Sequence, residues 1–449
     1  MQTRKKKLLA SISPTRIIVS SFALIIFTGA ILLSLPAASN DGRSIGFLNA
    51  FFTATSATCV TGLVVADTLT QWTLLGQIVI LLLIQIGGLG IVTLATFFSV
   101  LLGRKISMSG KILAQESTSG YSFADVTRLI RSVIKITVGL ELAGAVLLSF
   151  SFIPRFGMRG IYLSIFHSVS AFCNAGFDLI GDYRSLTQFN NDPVVLYTIS
   201  LLIVTGGLGF IVWKDLADYR KTRTLYLHTK LVLIISAGLL VIGALFFFVS
   251  EYNNPQTMGP LNLFERINAA VFHSVTCRTA GYNSLPLNEM SELSKIVTIL
   301  LMFIGAAPGS TGGGIKVTTF GILLMAILSN VMGNDETVVL KRRVSQVVVN
   351  KALSIAGLSM VLIFIMTSVI ATLEPFPFIN VLYEVTSAFG TVGLSTGITP
   401  QLGSISKVML IITMFLGRVG PLSFAVAIAL RENKKLQNAV YPEGKIMVG

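Results

Sequence analysis

Four short stretches of this chain share a pattern suited to one kind of chemistry. TATSATCVTGL at 53–63, SVSAFCNAGF at 168–177, HSVTCRTAGY at 273–282 and VTSAFGTVGL at 385–394 are small, polar and glycine-tipped, and each lies between apolar runs. The tip glycines Gly62, Gly176, Gly281 and Gly393 are 114, 105 and 112 residues apart. Before them stand Thr58, Cys59, Val60 and Thr61; Phe172, Cys173, Asn174 and Ala175; Cys277, Arg278, Thr279 and Ala280; and Phe389, Gly390, Thr391 and Val392. None of these turns contains Asp or Glu, which argues against a carboxylate ring and a divalent-cation filter. They can offer backbone carbonyl oxygens in place of a cation's hydration shell. Glycine at each tip relaxes the φ restriction that a carbonyl-inward backbone imposes. Arg278 would repel a cation in the path, so its side chain is expected to point away and brace the turn.

Hydropathy sets the elements that carry these turns. Of 449 residues, 53% are hydrophobic and 12% charged, with mean hydropathy +0.79; a soluble protein carries about 25% charge. Apolar runs of about 18 residues or more recur along the chain, which marks a multi-pass, all-α membrane protein. The stretch 45–57 is too short to cross: about 13 residues rise roughly 20 Å, against a hydrocarbon core about 30 Å thick. It must enter and turn back at 58–62. Non-helical backbone at that depth is tolerated only inside protein or beside water. Helix, half-helix, turn, helix is one unit, and the order returns three times. First helices are expected at 17–35, 133–153, from 231 and at 352–373; half-helices at 45–57, 161–172, 262–275 and 377–388; closing helices at 72–103, 193–213, 292–325 and 404–430.

The chain thus divides into a basic tail at 1–15, units at 16–103, 104–215, 216–325 and 326–430, and a tail at 431–449. Each unit crosses twice, so the units are parallel repeats about an axis along the membrane normal. The expected arrangement is pseudo-fourfold around one central pore, with the negative C-terminal ends of the half-helices facing the centre.

Charge gives the orientation. The segments 1–16, 104–131, 214–230, 326–351 and 431–449 carry 23 Lys and Arg against 8 Asp and Glu. They lie inside, with both termini cytoplasmic. The net charge of +14 is therefore a topology signal, partly available to membrane lipid; no basic patch interleaved with aromatics points to nucleic acid. A cleaved leader competes for 1–39, but its apolar run is long for a signal core. Cys59, Cys173 and Cys277 form neither a disulfide framework nor a zinc site and read as packing residues behind the tips. His167 and His273 read as hydrogen-bonded residues of the half-helices, and Glu384, in the equivalent place, as an attractive charge near the outer mouth. The matching Gly87-Gly88-Leu89-Gly90 and Gly206-Gly207-Leu208-Gly209 suggest close packing or a bend.

The third closing segment breaks the symmetry. Gly305, Ala306, Ala307, Pro308, Gly309, Ser310, Thr311, Gly312, Gly313 and Gly314 interrupt an apolar helix, with Lys316 just beyond. Proline and glycines oppose helix continuation there. A Walker A loop fails, because Ile315, Lys316 and Val317 follow Gly314 where Gly-Lys-Ser/Thr is required. The stretch is either a packing kink or a mobile loop obstructing an ion path. Arg418 lies within the last apolar run, where a buried arginine costs about 2.5–3.5 kcal/mol on insertion scales. It is expected to touch the 305–314 loop and oppose cation passage.

TVGL at 391–394 resembles a relaxed potassium-channel signature. With CVTGL at 59–63, HSVTCRTAGY at 273–282, GSTGGGIK at 309–316 and Arg418, the chain resembles the Trk/Ktr/HKT superfamily of potassium transporters across 16–430. Within it the match is closest to the membrane subunits of bacterial Ktr uptake systems. The resemblance implies potassium uptake across the bacterial cell membrane through a single-file pore with one filter glycine per unit, and an intramembrane gate at 305–314. It further implies a homodimer with one pore per protomer, sodium dependence, and a cytoplasmic ring of RCK-type nucleotide-binding subunits. ATP and ADP would act only through that ring, and no cofactor would be tightly bound. In the family a serine in place of the first glycine accompanies sodium preference, so Gly62 favours potassium.

Two other classes compete on residues alone. A secondary transporter of another small solute could use broken helices at the midplane, although this chain lacks the Asp/Glu/His relay of proton coupling. An intramembrane enzyme would need Ser310 as nucleophile, with His273 or His167 as base in a different layer of the membrane.

Overall fold

The structure, a computed structural model, describes residues 14–90, 123–334 and 336–420; the expectations for 1–13, 91–122 and 421–449 lie outside them. Helix α1 (Pro14–Ser34) opens the first unit, α2 (Phe47–Thr58) is its half-helix and α3 (Leu74–Leu89) closes it. The second unit has α4 (Phe123–Phe156), α5 (Arg159–Phe172) and α6 (Pro193–Gly207), with α7 (Phe210–Thr222) following α6. The third has α8 (Leu227–Glu251), α9 (Leu263–Thr276), α10 (Glu292–Phe303) and, past an interruption, α11 (Val317–Val331). An antiparallel hairpin of β1 (Val338–Val339) and β2 (Arg342–Arg343) leads to α12 (Gln346–Leu373), α13 (Phe378–Gly390) and α14 (Ser404–Val419).

Each unit's opening helix is long and apolar enough to cross a membrane, over Ile17–Ser34, Ser132–Phe156, Leu227–Glu251 and Gln346–Leu373. These helices leave large apolar side chains such as Leu142, Phe150, Leu245, Val249 and Phe364 exposed, as a lipid-facing surface should. The half-helices form the core: every residue from Tyr383 to Gly390 on α13, and from Phe52 to Thr58 on α2, is buried. Local signals start one half-helix and one closing helix. Asn262 and Glu265 make a reciprocal capping box on α9, and Asp192 caps α6 ahead of Pro193.

The closing helices depart from expectation. They are not continuous over 72–103, 193–213 or 404–430. Helix α3 ends at Leu89, α6 at Gly207 and α14 at Val419. At each break a glycine takes positive φ: Gly90 at 79°, Gly209 at 89° and Gly420 at 93°. That conformation ends an α-helix and suits only glycine without strain. Helix α7 leaves α6 at 93°. At 12 to 16 residues, the closing helices rise roughly 18–24 Å, short of a bilayer core.

One packing relation recurs between units. Helix α3 packs against α5, α6 against α9, α10 against α13, and α14 against α2. Each closing helix thus supports the next unit's half-helix, and the series returns to its start.

Candidate functional site

The four turns share one backbone conformation. Val60, Asn174, Thr279 and Thr391 lie in the left-handed region at φ 58°, 58°, 69° and 50°, and two residues later the glycines take 90°, 69°, 83° and 94°. A non-glycine residue held there costs about 1–3 kcal/mol and persists only where surroundings fix it. The surroundings are the half-helix ends. The Val60 and Thr61 amides donate to Ala57 O (3.2 Å) and Ser56 O (2.8 Å), and the Gly62 amide to Ser56 Oγ (3.1 Å). Asn174 and Ala175 donate to Ala171 O (3.0 Å) and Ser170 O (2.8 Å). Arg278 and Ala280 donate to Val275 O and Thr276 O, both at 3.1 Å. Thr391 and Val392 donate to Ala388 O (3.2 Å) and Ser387 O (2.9 Å), and Gly393 to Ser387 Oγ (3.0 Å). These turn amides bond backward into their own half-helices, so the turns face one another with acceptors.

The glycines meet in a ring. A β-carbon on Gly62 would stand 2.5 Å from Ala175 O and 3.1 Å from Gly176 Cα; one on Gly176, 2.7 Å from Ala280 O and 2.9 Å from Gly281 Cα. From Gly281 it would lie 2.5 Å from Val392 O and 3.2 Å from Gly393 Cα. Gly393 closes the circuit, where a β-carbon would run into Thr61 O and lie 2.9 Å from Gly62 Cα. No side chain fits at any of the four places, and the carbonyl oxygen just before each glycine borders the glycine of the unit before it in the ring.

A cavity of about 710 Å³ rests on these four glycines, lined also by Asp67, Asp178, Asn283, Ser395 and Thr396. Asp67 accepts from Leu69 N, Thr70 N and, across units, Tyr183 N at 3.0 Å. Asp178 accepts from Ile180 N at 3.1 Å. Burial pushes the Asp178 carboxyl up to about 6, against the opposing hydrogen bond from Ile180, and nearby Asp67 raises it further. Glu384 lies behind the cavity wall, on residues that line it, rather than open to the mouth. It is buried, accepting from Ser395 Oγ (2.5 Å), Thr396 N (2.9 Å) and Thr399 Oγ1 (2.7 Å), and so ties the segment beyond Gly393 to α13. His167 does the same in the second unit: its Nε2 accepts from Leu179 N (3.3 Å) while Nδ1 donates to Leu163 O (2.8 Å). His273 pairs with Thr298 Oγ1 at 3.1 Å. The guanidinium of Arg278 donates to Ser236 O on α8 at 3.2 Å, bracing the third turn as expected.

Below the ring the third unit's interruption folds back across the turns. Gly305 N donates to Ile315 O (2.8 Å) and Val317 N to Ala306 O (3.2 Å), closing the loop's neck. Ala307 N donates to Gly207 O (3.0 Å), Thr311 N to Gly206 O (3.3 Å), and Phe210 N to Gly309 O (3.0 Å). Thr311 Oγ1 reaches Phe172 O (3.3 Å), and Gly313 N donates to Thr391 Oγ1 (2.9 Å). A β-carbon on Gly312 would sit 3.0 Å from Thr279 Cβ, and one on Gly314, 3.3 Å from Gly390 Cα. Lys316 Nζ donates to Gly312 O (2.8 Å) and Ser310 Oγ to Ala307 O (2.6 Å). Arg418 donates to Thr311 O on the loop and to Gly87 O at the end of α3. It therefore joins three units at the carbonyl, partially negative end of a helix.

The sequence reading missed how the closing helices approach the turns. A β-carbon on Gly87 would strike Thr58 O, one on Gly206 Phe172 O, and one on Gly417 Phe389 O. The paired-glycine motifs carried that signal in two units. It also left Glu141 without a role. That carboxylate is buried on α4, accepting from Gln85 Nε2 at 3.1 Å beside Cys173.

Comparison with known proteins gives a consistent result. The family model described as TrkH, cation transport protein, matches residues 1–438. The chain is 40% identical over 438 residues to Ktr system potassium uptake protein B of Bacillus subtilis, covering 97% of each chain. It is 39% identical over 454 residues to the potassium/sodium uptake protein NtpJ of Enterococcus hirae, covering all of both. Among solved structures, the potassium transporter TrkH from Vibrio parahaemolyticus superposes with TM-score 0.72 over 93% of this chain and 85% of that one, at 18% identity.

Proposed function

The chain belongs to the TrkH family of cation transport proteins, multi-pass membrane transporters and not enzymes, and on that premise we propose that it carries potassium into the cell through the ring of glycine turns. One observation carries the reading: the amides of Val60, Thr61, Gly62, Asn174, Ala175, Arg278, Ala280, Thr391, Val392 and Gly393 are spent on the half-helices, while carbonyl oxygens border a closed ring of four glycines. A dehydrating cation needs several oxygens at fixed distance, and backbone carbonyls supply them without a charge that would trap it. The 710 Å³ cavity is the outer vestibule, where Asp67 and Asp178 favour cations over anions.

In this reading the four units stand pseudo-fourfold about the pore axis. The loop at 305–314, seated on Thr279 and Thr391, obstructs the inner end of the path. Arg418 holds it there and adds a positive charge. Opening requires the loop to leave these partners, and a cytoplasmic RCK-type ring binding ATP or ADP would drive that step. The relatives' membership of a Ktr system supports such a partner. A homodimer with one pore per protomer, sodium-dependent uptake and cytoplasmic termini complete the proposal.

Rubidium uptake into vesicles containing the protein tests it. Competition by potassium, with none by organic solutes, is the expected result. Competition by an organic solute at comparable concentration would replace the pore with a solute carrier.

A further inference from the structure

The α6–α7 elbow is the seat of the loop. Gly206 O and Gly207 O accept from Thr311 and Ala307, and the first amide of α7, Phe210 N, donates to Gly309 O. Gly209, at φ 89°, lies so close that a β-carbon would stand 2.7 Å from Pro308 O. Any shift of α7 is therefore transmitted directly to the loop.

Helix α7 leaves this elbow at 93° to α6 and ends in a cationic cluster. Arg220 and Lys221 occupy its last turn and Arg223 caps it, all three exposed. The exposed rings of Tyr219 and Tyr226 flank them. No ion pair among the described residues engages these three cations. Asp215, on the same helix, is buried and occupied by Tyr226 N at 3.0 Å. Unpaired arginine and lysine beside tyrosine, on a segment that positive charge places inside, match an anionic lipid surface. Arginine's planar fork suits phosphate oxygens in particular.

We propose that Arg220, Lys221 and Arg223 bind the phosphate headgroup of an anionic phospholipid of the inner leaflet, and that this contact acts on the 305–314 loop through the elbow. The second half rests on the reading of that loop as a gate.

Binding and flux are read separately. The three native cysteines are buried, so a Thr224→Cys variant takes a fluorophore at the cluster alone. In vesicles, brominated phosphatidylglycerol should quench it more than brominated phosphatidylcholine. Changing Arg220, Lys221 and Arg223 together to Gln should weaken that preference on the order of a hundredfold, from about fivefold per charge, most clearly at low salt. Rubidium flux should differ about fivefold or more between the two lipids for the native chain and not for the triple variant. Equal quenching by both lipids overturns the lipid site and leaves the charges to a protein partner. Selective quenching with flux indifferent to lipid supports the site and overturns its action on the loop, whose role as gate is decided separately by Arg418→Ala.

Discussion

Replacing Arg418 with alanine should open the pore in the absence of any partner. Its guanidinium donates to Thr311 O on the loop and to Gly87 O on α3. A hydrogen bond to a charged group contributes about 1.5–3 kcal/mol. Losing the bond to Thr311 therefore shifts the seated loop toward release by roughly tenfold to a hundredfold, at about 1.4 kcal/mol per tenfold. Rubidium uptake by vesicles reconstituted with the membrane subunit alone should rise toward that factor. Arg418→Lys separates two causes. Lysine keeps the charge but cannot fork between two carbonyls, so a clamp predicts opening in both variants and a purely electrostatic plug predicts opening only in Arg418→Ala. Native flux in Arg418→Ala, in a chain shortened within 309–314 and eluting as a single folded species, would refute the gate altogether.

Gly62→Ser places a side chain 2.5 Å from Ala175 O at a φ of 90°, so the ring must widen or tilt; the potassium-to-sodium uptake ratio should fall at least tenfold, read by paired rubidium and ²²Na uptake. Asp178 titrates near 6 because burial raises it; its negative charge is present above that pH and lost below it, so uptake at low external potassium should decline between pH 7 and 5, and Asp178→Asn should flatten the profile. Glu384→Ala removes the acceptor for Ser395, Thr396 and Thr399. It should lower thermal stability in detergent by about 3 kcal/mol, and Glu384→Gln by less.

Much of the fold was legible because hydropathy and glycine spacing report it directly. The four turns were readable from Gly62, Gly176, Gly281 and Gly393, since a close backbone approach leaves glycine no substitute. The loop announced itself through Pro308 and its glycines. The bend at Gly90 was legible in the Gly87-Gly88-Leu89-Gly90 motif, but the stop at Gly420 was not, because glycine in an apolar run does not by itself distinguish a tolerated helical residue from a positive-φ stop. Only tertiary contact decides that, as the crowding of Gly417 onto Phe389 O illustrates. The burial of Glu384 was not readable for a similar reason. Sequence position put a carboxylate near the mouth, but its orientation depends on three donors eleven to fifteen residues further on.

The unit that departs from the others gives the proposed gate its place. In three units a closing-helix glycine, Gly87, Gly206 or Gly417, presses on the last carbonyls of its own half-helix, and the helix ends one or two residues later. In the third unit the helix stops at Phe303, before the corresponding Gly305. Gly305 then crowds Gly313 O of its own loop. About one helical turn of rigid support is thus exchanged for a loop held by scattered hydrogen bonds to Gly206, Gly207, Phe172, Thr391 and Arg418. Each bond contributes about 1 kcal/mol net, more where Arg418 donates. Such a set is strong enough to seat the loop and weak enough to be released by a partner worth a few kcal/mol. A continuous helix there would have made the path permanently open or permanently filled. Rebuilding it tests this directly. Replacing Gly305 with alanine should dislodge the neck from Gly313 O and raise flux, while Gly87→Ala, which presses on Thr58 O behind the first turn, should abolish uptake. Equal loss in both would mean that the third unit supports its turn as the others do and that the gate lies elsewhere.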